Sequence, residues 1–306
     1  MVIQLVSYKS TLRADSRLRH TAEIINSSKA DLILFAGHTI ASPSDADELN
    51  KLVDNDKTIA VIEVKEDKTS KMNPVCHSLF LLENGIVRSL FTHQLFSDSK
   101  TINSYPILGE YLMLELETRR KFSAANRNVA IIQCGENNIL RNIQSEENRA
   151  VFRFDENTAL NKRFTDFLNN TDIILNPLHS PMGNQDKMRK RRVLFSNHNR
   201  AYFSTANFDG EESIYNKSVQ YACINGKEQE PLIRNSETGN NAVNIEGYGT
   251  YTIRIVDSMG TESKTMTFTI KKGLNTSALV LIGLSGVIAT VVVIFILRAR
   301  GKVATR

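Results

Sequence analysis

The chain has 306 residues, is 41% hydrophobic and 23% charged, and carries a formal net charge of +5. That is an ordinary globular composition, long enough for one large domain or a medium domain plus a small one. Part of the positive excess sits at the end, in Arg298, Arg300, Lys302 and Arg306, so the remainder is mildly basic and no nucleic-acid partner is expected. The three cysteines, Cys76, Cys134 and Cys223, are far apart without CxxC spacing. This argues against a disulfide framework or a cysteine-based zinc site and fits a reducing compartment. No cofactor and no metal is expected.

In chain order, residues 2–7 predict a strand; the run is too short and lacks the basic leader of a signal peptide. Residues 12–28 predict an amphipathic helix carrying Leu12, Leu18, Ala22 and Ile25 on one side. Residues 30–36 predict a buried strand that ends at the turn Gly37-His38. Ser42-Pro43-Ser44-Asp45 marks a helix start, with the helix running to about Val53. Residues 58–64 predict another buried strand. Residues 76–82 and 86–91, joined through Asn84-Gly85, predict a hairpin. A strand at 129–133 leads straight into Cys134-Gly135-Glu136. Residues 161–168 predict a helix, 172–175 a strand ending at Asn176-Pro177, 184–199 a basic helix and 202–206 a strand. Strands alternating with helices, interrupted by one hairpin, predict a layered α/β sandwich with a mixed sheet.

From about Ser213 the helical patterns stop. Residues 250–256 and 264–270 alternate strongly and predict a β-hairpin. Residues 213–272 admit two readings. In one, residues 220–227 supply a late strand and turn that complete the sandwich. In the other, the segment is a separate small β module, similar in its last two strands to bacterial surface Ig-like domains. Residues 276–297 contain no charge and are mostly Leu, Ile, Val, Ala and Phe. About 20 such residues span a bilayer as a helix, so a transmembrane segment is predicted, followed by a basic tail at 298–306. The missing leader favours a tail anchor with the folded part inside, whereas the basic tail favours the folded part outside; both orientations stay open. The cluster Lys187, Arg189, Lys190, Arg191 and Arg192 reads as a solvated helix face, with contact to anionic lipid as the functional alternative.

A thiol at the exit of a buried strand, beside a glycine turn and a carboxylate, is where a nucleophile is expected. Over roughly residues 1–210 the chain resembles the carbon–nitrogen hydrolase (nitrilase) superfamily. Four local matches in order carry the resemblance. Lys29-Ala30-Asp31-Leu32-Ile33-Leu34-Phe35 looks like the strand leading to that family's "FPE" motif. The hairpin from Ser78 to Phe91, followed by Thr92-His93-Gln94-Leu95-Phe96, looks like the stretch ending in its lysine-bearing motif. Residues 129–136 look like the nucleophile strand and elbow, and residues 171–181 like the strand and "NPS"-type loop beyond.

The resemblance implies an α-β-β-α layered sandwich, a homodimer formed through one face, and a glutamate–lysine–cysteine triad. Carried over, Cys134 matches the nucleophile. The glutamate position falls on Gly37 and the lysine position on or near Thr92, and neither can do the work of the lost group. His38 and His93, one residue away from each, are the available substitutes for base and donor. Glu136 is a further carboxylate for the same pocket. Lys100 and Lys121 are further candidates for a displaced lysine, with ordinary surface lysines as the plainer reading.

The domain reading is a nitrilase-like domain at 1–212, a β-rich module at 213–272, the transmembrane helix at 276–297 and the tail. With two of three catalytic side chains gone, the leading expectation is a membrane-anchored, inactive binding or scaffold module. The alternatives are an active thiol amidohydrolase acting on an amide or nitrile, and a cell-surface interaction protein.

Overall fold

Strands that are apolar on both faces need cover on both sides, and this chain supplies it as two facing sheets with helices outside each. In the computed structural model of the chain, the described residues are 1–8, 10, 12–65, 77–181, 183–207 and 219–229; five further strands between 234 and 283 are described by their backbone alone.

The first sheet contains β1 (Ile3–Val6), β2 (Leu32–Phe35), β3 (Ile59–Lys65), β4 (His77–Glu83) and β5 (Ile86–His93), side by side in that order. β1, β2 and β3 run parallel, and β4 and β5 are antiparallel to their neighbours. The β4–β5 turn has Asn84 and Gly85 at φ 55 and 72, the left-handed pair that a two-residue hairpin loop requires. The second sheet begins with the hairpin β6 (Lys121–Ala124) and β7 (Arg127–Ile131). A small separate hairpin follows, β8 (Leu140–Ile143) with β9 (Arg149–Phe152). The second sheet then continues with β10 (Ile173–Leu178), β11 (Ala201–Ala206), β12 (Gln220–Ile224) and β13 (Lys227–Gln229). Its spatial order is β13-β12-β11-β10-β7-β6, with β7, β10 and β11 parallel.

The period-2 alternation of each strand assigns its side chains to layers. Leu32 and Leu34 of β2 meet Val129 and Ile131 of β7 and Ile173 and Leu175 of β10 between the sheets. Their alternates Ile33 and Phe35 turn outward onto α1 (Ala14–Ser27) and α2 (Pro43–Leu52), against Ile25 and Leu49. On the second sheet, Ala130, Ile132 and Ile174 turn outward instead. They meet α4 (Ile107–Thr118), α5 (Thr158–Asn169) and α6 (Gln185–Ser196), which follow the short α3 (Ser99–Ser104). The result is the four-layer α-β-β-α order. The helix starts follow from their caps. Ser42 and Asp45 form a capping box ahead of Pro43, and Asn157 and Asn184 accept from Leu160 and Lys187.

The basic helix α6 is not uniformly solvated. Arg191 is buried and donates to Asn137 O, Asn138 Oδ1 and Asn142 Oδ1. Burial and the nearby Arg153 pull its pKa down to about 10. Arg192 is buried too, pairs with Glu228 and lies 3.8 Å from the centre of the Tyr221 ring. Two of the five clustered cations therefore brace the fold, and Lys187, Arg189 and Lys190 are left towards the surface.

The chain divides into two units, Met1–Gln229 and Glu230–Arg306. The boundary follows Gln229 because β12 and β13 extend the second sheet. In the second unit, β14 (Arg234–Asn235), β15 (Asn240–Ile245) and β18 (Ala278–Gly283) form one sheet. Between β15 and β18, β16 (Gly249–Val256) and β17 (Glu262–Ile270) form the antiparallel hairpin that their alternation predicts. β18 lies inside the run read as a transmembrane helix. Its backbone pairs with β15, and the sequence Val280-Leu281-Ile282 suits a strand as well as a helix. Residues 284–297 lie outside the described residues, among which no helix is long and apolar enough to cross a membrane.

Candidate active site

Three strand ends meet beside β3. Gly37 follows β2, Cys134 follows β7 and His179 follows β10; the Gly37 N–H donates to Leu178 O at 2.9 Å, drawing the first and third together. From β3, Glu63 points between them with a side chain that is 0% exposed. A carboxylate buried that completely must be neutralised by hydrogen bonds or a counter-charge. Its Oε1 accepts from the His38 N–H at 3.0 Å and lies 2.6 Å from His179 Nε2. Its Oε2 accepts from Gln133 Nε2 at 2.9 Å. The Glu63 N–H donates to Thr39 Oγ1, fixing the strand at that point.

The Cys134 side chain lies near enough to His179 to act on its protonation. It therefore stands between a thiol and a buried carboxylate, the order nucleophile, base and orienting acid that activates sulfur elsewhere. With Nε2 donating to Glu63, Nδ1 is the ring nitrogen left as base. Burial pulls the imidazole pKa down, but Glu63 and Cys134 outweigh it and push the value up to about 10. At neutral pH the ring is an imidazolium beside the sulfur. Cys134 is half-buried, open enough for a substrate to reach. The His38 ring stacks on His179, with centroids 3.9 Å apart and planes at 15°.

The vacant glutamate position and this histidine are two sides of one exchange. A Cβ built on Gly37 would fall 2.3 Å from His179 Cδ2 and 3.0 Å from Glu63 Oε1. A side chain at 37 and a histidine at 179 exclude each other. The base expected at the end of β2 is absent, and the neighbouring strand delivers a carboxylate to the same space.

Glu136 has a different role. It receives Arg120 Nη1 and Nη2 in a fork and accepts from the Leu95 and Gln133 N–H groups. Arg120 and Glu136 are both fully buried. Arg120 also donates from Nε to Thr92 Oγ1 at 3.0 Å and from Nη2 to His93 O at 2.7 Å. A cation thus reaches Thr92, the position expected from sequence to carry a lysine, but Glu136 holds it. Its task is to pin the end of β5 to the elbow after β7. Gly135 belongs to the same clamp, since a Cβ there would come within 2.0 Å of Ser97 O. Behind the elbow, Asn137 Nδ2 donates to Cys134 O and Asn176 Oδ1, and the Tyr202 hydroxyl donates to Asn176 Oδ1 at 2.7 Å.

Of the residues singled out from sequence, Cys134 and His38 come together here. His38 contributes its N–H and its ring face. His93 enters through its carbonyl, not its imidazole. Glu136 and Thr92 belong to the Arg120 clamp. Lys100 and Lys121 are exposed in α3 and β6, and Cys76 lies outside the described residues. Glu63 and His179 were missed. A lone carboxylate inside the apolar run Ile62-Glu63-Val64 was the available signal, because it requires a buried partner. No metal was expected, yet donor atoms of His38, Glu63 and His179 all lie within 4.8 Å of one another. A cavity of about 370 Å³ near β9 is lined by Arg141, Arg153, Asp155 and Glu156 with balanced charge, and does not include Cys134.

No protein-family model matches the chain, and no curated protein matches it. Solved structures similar to it include an amidase from Nesterenkonia sp. AN1, at 12% identity over 76% of this chain and 88% of that one, TM-score 0.40. A mutant of that amidase in complex with butyramide has 11% identity over 76% and 85%, TM-score 0.41. A CN-hydrolase superfamily protein from Xanthomonas campestris, with an arsenic adduct in its active site, has 8% identity over 93% and 89%, TM-score 0.38. The chemistry of this chain is read from Glu63, Cys134 and His179 themselves.

Two outcomes follow from this geometry. Arg120→Leu strands a buried carboxylate and lowers stability by about 3–5 kcal/mol in urea unfolding. The folded-state value of His179 lies above its ordinary 6.5. Its proton therefore contributes stability fully below pH 6.5, and that contribution fades as pH rises to about 10. The difference in unfolding free energy between the wild type and His179→Gln, measured at pH 6 and pH 10, is expected to shrink at the higher pH.

Proposed function

We propose that the chain is a thiol-dependent hydrolase of amide-type carbon–nitrogen bonds. Cys134 is the nucleophile, His179 the proton carrier and Glu63 the group that orients it. One observation carries the reading: His179 Nε2 lies 2.6 Å from the buried Glu63 carboxylate, and Cys134 is close enough to the same ring to raise its pKa. The amide class comes from the family resemblance in residues 1–210. The inactive-scaffold reading rested on Gly37 and Thr92. Glu63 and His179, arriving from other strands, weaken that ground.

In the first half of the reaction the Cys134 sulfur attacks the carbonyl carbon while its proton resides on His179. The carbon–nitrogen bond breaks as His179 returns that proton to the leaving amine, which leaves a thioester. Water then attacks the thioester and gives its proton to His179. The carbon–sulfur bond breaks, the acid leaves and Cys134 recovers the proton. Glu63 keeps the ring in one tautomer and balances its charge throughout.

The test is alkylation by iodoacetamide at pH 7, read by mass spectrometry, beside hydrolysis of a panel of short aliphatic amides. Cys134 is expected to label at least tenfold faster in the folded chain than after urea unfolding, and His179→Ala and Glu63→Gln to remove that advantage. Amide hydrolysis should fall by about 10²–10⁴ in either variant. Equal labelling of folded and unfolded Cys134 would contradict the reading.

A further inference from the structure

We propose that Glu63, His179 and His38 form a binding site for a divalent cation of the Zn2+ class, which stops turnover at the thiol when it is occupied. Two histidine nitrogens and one carboxylate oxygen are a donor set that zinc accepts with a fourth position left open. All three donor atoms lie within 4.8 Å of one another. A tetrahedral zinc with ligands at about 2.0–2.2 Å holds its donors about 3.3 Å apart. Glu63 Oε1 and His179 Nε2, now 2.6 Å apart across a hydrogen bond, would open slightly to admit the ion in place of its proton.

The surroundings are arranged as an outer shell for such a site. Gln133 holds Oε2 of Glu63, which leaves Oε1 aimed at the two histidines. His38 sits at φ 59, a left-handed conformation uncommon for a residue with a side chain. That backbone is held from both sides: its N–H donates to Glu63, and its carbonyl accepts from Arg17 Nη1 at 2.6 Å. The stacked rings of His38 and His179 place their nitrogens side by side rather than aimed at one point. The movement required is a turn of the half-buried His38 ring.

Once His179 ligates the ion through Nε2, handing its Nδ1 proton to the leaving amine would leave a metal-bound imidazolate, so turnover stops although the thiolate persists. That consequence rests on the thiol reading, whereas the binding does not. Cys134 is itself a soft ligand, so the experiment separates a thiol-bound ion from one bound by the three donors. The full chain, stripped with chelator, is dialysed against ZnCl2, and Co2+ absorption reports the ligand geometry. One Zn2+ per chain is expected for the wild type and for Cys134→Ala. Binding should weaken at least tenfold in Glu63→Gln and in His38→Gly, a residue that keeps the left-handed backbone. Zinc should raise the thermal midpoint of the wild type and of Cys134→Ala only. Absence of binding, or binding lost in Cys134→Ala but kept in His38→Gly, overturns the site. If zinc binds as expected and hydrolysis of the short amides is unchanged by it, the thiol reading falls while the cation site stands.

Discussion

A carboxylate with no exposed surface organises this molecule's chemistry. Glu63 is buried in the middle of β3, where an uncompensated charge would cost several kcal/mol. Its compensation comes from three places in the chain, the His38 N–H, Gln133 just before the elbow and His179 after β10, while Thr39 accepts from its backbone N–H. Satisfying one charge thus draws together the ends of β2, β7 and β10, and with them Cys134.

A second buried charge does the corresponding work on the other side of the elbow. Arg120 and Glu136 join the end of β5 to the start of the turn that carries Cys134. The two networks touch through Gln133, whose side chain serves Glu63 and whose N–H serves Glu136. The thiol is therefore held from both flanks by hydrogen bonds to charged groups, which are the stronger kind. Backbone close approaches at Gly37 and Gly135 reinforce this, because each leaves no room for a side chain where the networks meet.

Much of the frame was legible in the sequence. Leu32 to Phe35 and Val129 to Ile131 are short apolar runs bounded by turn residues, and Asn84-Gly85 announces its hairpin. Cys134 could be placed at a strand exit for the same reason. The partners of the thiol were harder to see, because they are adjacent in space and not along the chain: Glu63 lies 116 positions from His179. Reading the site by the resemblance led to Gly37 and Thr92, whereas the charged side chains of this site, Glu63 and His179, come from β3 and from the loop after β10. Residues 99–118 were not read as helices, since α4 is apolar on several sides and exposes Tyr111 and Leu114 while burying Leu112 and Met113. The apolar run at 276–297 shows the same ambiguity in reverse. A stretch with no polar stripe carries no period that tells strand from helix, and of this run only the backbone of β18 is described.

The central claim is that His179 shares its protons with Glu63 on one side and Cys134 on the other. Titration of the 15N-labelled imidazole of His179 by NMR, in the intact chain and in Glu63→Gln, tests it most directly. The account predicts a ring that stays protonated in the wild type until about pH 10 and falls back towards ordinary imidazole behaviour in the variant. A wild-type His179 that titrates near 6.5, with no response to Glu63→Gln, would contradict it.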